Sequence, residues 1–157
     1  MVTNQIEREI TMTQEEKDLL LKDLCARLPY EVKLGFENSD LILVPKEFNI
    51  YTMQLSTNQI YPKSNGMVIG YVYDVWCYRP YLRPMSSMTT EEEYEYHQCQ
   101  PVDFLEICKM EHAEMLKTTA LCFSYAIDWL NKKGFDYRGL ISMGLALEAL
   151  EGMYKTE

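Results

Sequence analysis

The sequence predicts an α+β domain: an N-terminal helix, an antiparallel sheet of three or four strands, and a helical C-terminal half packed on one face. Three observations carry this. Residues 14–27 repeat leucine at helical spacing. Residues 31–76 hold short β-rich runs separated by turn signals. Residues 90–143 return to helical periodicity behind a capping signal. A run of strands followed by a run of helices is the pattern of this class.

The bulk numbers fit that class. A chain of 157 residues suits one domain and can bury roughly two thirds of its unfolded surface. Hydrophobic residues at 47% and charged residues at 25% exclude disordered and fibrous classes. No apolar run approaches the roughly 18 residues of a membrane span. The N-terminus, MVTNQIEREITMTQEEK, has no apolar h-region. A cytoplasmic protein without a membrane partner is therefore expected. The net charge of −9, from 24 acidic and 15 basic residues, makes nucleic acid an unlikely partner, since a phosphate-backbone binder needs a basic footprint. Five scattered cysteines, an odd number, read as reduced thiols rather than a disulfide framework.

Element by element, residues 1–11 are polar, with apolar side chains only at Val2, Ile6 and Ile10, and read as an extension to a single domain over 12–157. Thr13 and Glu16 form a capping box ahead of a helix over 14–27, which Pro29 stops. Val32, Leu34 and Phe36 alternate, and Asn38-Ser39-Asp40 suits a turn, so 31–36 and 41–44 are expected to pair as a hairpin. Pro45 is compatible with an edge, a bulge or a break. A strand is expected again over 48–55, then a polar linker over 54–66 ending in the turn signal Asn65-Gly66. Residues 67–76 form the strongest strand in the sequence. Pro80 and Pro84 then predict a stiff, non-helical connector into a helix capped by Thr90 and Glu93 and ending near Gln98. Asp103 is placed to cap another helix. Helical spacing from Phe104 to Asn131 exceeds the usual length, which predicts a break near Thr118-Thr119. Gly134 suits a C′ position, Asp136 the cap of a short helix over 137–143, and Leu145 and Leu147 an extended run across the core.

Three blocks carry a resemblance: MTQEEKDLLLKDLCARLPY from Met12, PYLRPMSSMTTEEEYEY from Pro80, and DWLNKKGFDYRGLISMGLALEALEGMY from Asp128. In them the chain resembles a family of short, functionally uncharacterised proteins from gut Bacteroidetes and their mobile or prophage elements. In those relatives the first block tends to begin the protein, a single Thr stands for Thr89-Thr90, and Pro often replaces Leu150. The resemblance implies an accessory gene and no activity, cofactor or catalytic residue.

Two clusters could carry function. Trp76, Tyr78, Arg79, Tyr81 and Arg83, with Tyr71 and Tyr73 before them, concentrate the residue types that dominate protein-binding hot spots. Their alternative reading is inward packing and local ion pairs. His97, Cys99, Cys108 and His112 offer soft ligands that suit zinc, the one cofactor the sequence suggests. Their spacing matches no standard finger, so packed thiols and surface histidines are the commoner reading. No P-loop, dinucleotide-binding glycine motif or nucleophile elbow occurs. The glutamates at 15–16 and 91–93 are explained by the helix dipole. The leading expectation is a non-enzymatic accessory protein that binds an unspecified protein partner. The alternatives are a small metal-binding protein or enzyme built on the His/Cys set, and an acidic inhibitor of a nucleic-acid-binding host protein.

Overall fold

The computed structural model describes residues 12–35, 42–49, 52–60, 70–99 and 104–154. The expected extension over 1–11, the turns at 38–40 and 65–66, and the cap at Asp103 lie outside them. Helix α1 (Gln14–Arg27) begins where the capping box places it. The Thr13 hydroxyl accepts from the Glu16 amide at 3.2 Å, and the Glu16 carboxylate accepts from the Thr13 amide at 2.8 Å. Pro29 sits in a 3-10 turn, Leu28–Tyr30, and Glu31 at φ 56 turns the chain away.

Among the described residues six strands follow: β1 (Leu34–Gly35), β2 (Ile42–Asn49), β3 (Gln54–Ile60), β4 (Gly70–Asp74), β5 (Arg79–Leu82) and β6 (Leu147–Glu148). They lie in the order β4-β3-β2-β1-β5-β6. All neighbours are antiparallel except β5 and β6, which run parallel with Tyr81 opposite Leu147. The class is α+β, and the sheet is mostly antiparallel. Leu20 and Leu24 of α1 pack with Val32, Leu34, Leu43, Leu55, Val75 and Tyr78 into the main core. A second cluster, Leu82, Leu140, Leu145 and Ala146, meets the same helix through Leu19 and, just ahead of its cap, Met12.

Several local expectations are corrected. Residues 48–55 do not form one strand. Asn49 and Gln54 are opposed, the Asn49 side chain accepts from the Thr52 amide at 3.2 Å, and Met53 takes φ 53. This side-chain-to-backbone turn overrides the β propensity of Thr52. The first part of the polar run after it, Gln54–Ile60, is strand β3, which buries Leu55 and Thr57 and is paired on both sides. Pro45 is tolerated in β2 because the register shifts between Pro45 and Glu47, and because β1 opposes β2 only at Leu43.

The connector is no linker. Its first half is strand β5, with every side chain buried. The next helix, α2 (Thr90–Gln98), is capped one residue early, by Thr89 with Glu92. Helix α3 (Phe104–Ile107) is short, and the break falls over 108–111. Helix α4 (His112–Lys132) then runs unbroken through Thr118 and Thr119. Gly134 does adopt a left-handed φ of 75, and the Tyr154 ring packs where a Cβ would stand. Residues 137–143 form turns rather than a helix. There the Asp136 carboxylate accepts from the Leu140 and Ile141 amides, both at 2.8 Å, and closes a compact loop. Among the described residues no helix is long and apolar enough to cross a membrane.

Candidate interaction surface

The aromatic and arginine residues around β5 are brought together, but mostly inside the protein. β5 lies between β1 and β6, so both of its edges are paired and its side chains meet packed layers. Tyr78 is fully buried and its hydroxyl donates to the Leu55 carbonyl at 2.8 Å. Arg79 donates to the carbonyls of Trp76 at 2.7 Å and Tyr78 at 3.0 Å, which fixes the 3-10 turn Val75–Cys77 against the strand. Tyr81 is buried too, its ring covering Gly35. Tyr78, Arg79 and Tyr81 are therefore interior residues, not a binding strip. Trp76 is half-buried with Lys17 5.9 Å from its ring.

Arg83 lines a cleft of about 440 Å³ together with Glu92, Glu95, Lys133, Glu148 and Tyr154. It makes a two-pronged pair with Glu92, at 2.6 and 2.7 Å, and its guanidinium lies 4.2 Å from the centre of the Phe135 ring. The hydrogen bonds from Arg83 pull the Glu92 carboxyl down to about 2, helped by the Thr89 amide and by the charges of Arg83 and Lys133, against a smaller upward push from burial. Lys133 pairs with Glu95 at 2.7 Å. Both cations in the cleft are thus neutralised by their neighbours. This arrangement fastens the end of β5 to the start of α2; it does not present Arg83 or Lys133 as a free cation to a ligand.

The His/Cys set is not assembled. His97 and His112 are exposed, on different helices, and Cys108 is exposed in the turn between α3 and α4. Cys99 is half-buried, donates to the Tyr96 carbonyl at 2.8 Å, and has its thiol pushed up by burial. Among the described residues, no three His, Cys, Asp or Glu side chains stand together as a metal site.

The surface that stands out is on α4. The helix is seated by Cys122, Ala126 and Leu130, which are buried, and by Trp129, stacked on Phe135 at 5.7 Å and tilted against Tyr96 at 5.5 Å. Immediately beside this face lie Ala113, Leu116, Ala120, Phe123 and Ile127, all exposed. Leu116 is 56% exposed and Phe123 65%, values ordinary for a charged side chain rather than for these. At about 100° per residue, the apolar arc of α4 spans roughly 200°, about twice what a surface helix needs to meet a core. The protein covers only one half of it. The spacing of three and four that marks this second stripe is present in the sequence, hidden because the neighbouring apolar positions already explain a helix.

No family model, curated protein or solved structure matches the chain. The function must be argued from the surface itself.

Proposed function

We propose that this chain is a non-enzymatic interaction protein and that α4 is its contact surface. The observation that carries the reading is the exposed stripe Leu116, Ala120, Phe123 and Ile127 on a well-seated helix. Contiguous exposed apolar surface with aromatic anchors is the usual mark of a protein contact, and a helix presents it as a rigid ridge. The stripe takes over the role first expected for the region around β5, where Tyr78, Arg79 and Tyr81 are buried and Trp76 and Arg83 keep partial exposure. The resemblance of the three sequence blocks supports an accessory role in a mobile genetic element. The free thiols of Cys25, Cys99, Cys108 and Cys122 suit a cytoplasmic setting.

Capture experiments in a lysate of the source cell test this, comparing wild type with Phe123→Glu/Ile127→Glu. The expected outcome is at least one species, further copies of this chain included, held by wild type and lost from the variant. Identical captured species would overturn the reading.

A further inference from the structure

The stripe on α4 also indicates what covers it. Ala113, Leu116, Ala120, Phe123 and Ile127 fall at alternating separations of three and four, the repeat by which two helices interlock side chains. Written as a heptad, Ala113, Ala120 and Ile127 occupy the a positions, and Leu116 and Phe123 the d positions. Between Ala113 and Ile127 only Glu114 and Lys117 are charged, one of each sign. This window is neutral on a chain of net charge −9. A second copy meets less like-charge repulsion over this window than over a surface carrying the average charge of the chain.

We propose that α4 pairs antiparallel with the α4 of a second copy of this chain, about a two-fold axis between Ala120 and Phe123. In an antiparallel pair each a position faces a d position of the partner helix. That register sets the bulky Phe123 against Ala120 of the other copy, and Leu116 against Ile127, each pairing occurring twice. Large faces small at the centre and medium faces medium outside it, so the stripe is its own complement. The same register leaves Lys117 of one copy and Asp128 of the other, both exposed, on one flank and about two residues apart along the axis. The stripe is only about 21 Å long at 1.5 Å per residue. That length belongs to small interfaces, so the dimer is weak and dissociates on dilution through the micromolar range.

The inference rests on α4 being a contact surface, and it is tested separately from that reading. Sedimentation velocity of purified full chain, from about 10 µM to about 1 mM, should show a monomer–dimer equilibrium. Ala120→Glu and Phe123→Lys should each raise the dissociation constant at least about tenfold. Mixed together they should regain dimer, because the register sets the two introduced charges against each other. Leu121→Glu, an exposed position on the same helix but off the stripe, should leave the equilibrium unchanged. Far-UV circular dichroism establishes that each variant is folded. Wild type that stays monomeric throughout, or a dimer indifferent to Phe123→Lys, overturns self-pairing. Failure of the mixture to dimerise overturns the antiparallel register. A monomeric wild type leaves capture of a different partner to decide the broader reading, so the two failures are distinguishable.

Discussion

Glu92 performs two tasks with one carboxylate. Its Oε2 accepts from the Thr89 amide at 3.0 Å, completing the cap of α2, while both oxygens hold Arg83. Since its folded value of about 2 lies below the ordinary 4.5, the ionised form is favoured by folding. The resulting stability is fully present above pH 4.5 and is lost as pH falls towards 2. Glu92→Gln should therefore cost about 1–2 kcal/mol at neutral pH, discounted for partial solvent screening. The gap between wild type and variant should close between pH 4.5 and 2, as followed by urea denaturation across pH. At this scale the sequence was only partly readable. Acidic residues in a first helical turn are visible in any chain, but which of three successive glutamates meets Arg83 depends on a partner nine positions away. The burial of Tyr78, Arg79 and Tyr81 was hidden for a related reason. The residue types that anchor interfaces also satisfy interior carbonyls, and only the two strands flanking β5 decide between those uses.

Among the elements, α2 shows how a one-residue ambiguity is settled. Thr89 and Thr90 are each followed three residues later by a glutamate, so both read as caps. Thr89 wins because Glu92, and not Glu93, faces Arg83, and the ion pair sets the phase of the first turn. Thr89→Ala should lower stability by about 1 kcal/mol, whereas Thr90→Ala should change it by less than about 0.5. Thermal or urea denaturation of the two variants side by side checks this. Elements with a local cause were legible: α1 by its capping box, the end of α4 by Gly134. Those with a distant cause were not. β3, with the sequence QLSTNQI, looks like a linker until β2 and β4 supply partners on both edges. β5 contains Pro80, which argues against a central strand, yet it pairs with β1 there. The break over 108–111 escaped notice because the apolar spacing continues across it. The α4 stripe was equally present in the sequence, but one amphipathic face is enough to explain a helix, and exposure of the second can be judged only once the first is docked.

Across the whole molecule, the two halves are joined by a charge held in the interior. Arg27 is the bulkiest fully buried side chain among the described residues. It donates to Asp23 at 2.7 and 3.1 Å and to the Phe135 carbonyl at 2.8 Å, and its guanidinium lies 5.4 Å from the Tyr137 ring centre. Arg138 brings a second cation to within 3.1 Å of Asp23 and donates to the Tyr137 hydroxyl at 2.9 Å. Removing the anion from such a group leaves uncompensated buried charge, so Asp23→Ala should cost about 3–5 kcal/mol. Replacing the pair together, as Asp23→Leu/Arg27→Met, should cost much less than that, because both charges leave the interior at once. Equilibrium denaturation of the two variants measures the difference.

The same cluster has a consequence for the order of events in folding. Asp23 and Arg27 belong to the first helix, but the carbonyl and the second arginine that complete their surroundings lie 108 or more positions later. Burying the pair before the Phe135 carbonyl arrives would leave guanidinium N–H groups of Arg27 without an acceptor in a dry interior. The N-terminal helix and its strands therefore have no dry, native-like state of their own. Their final packing waits on closure of a very long loop, which slows the last step and makes it common to the whole chain. A nascent chain released in two pieces would keep its first helix wet.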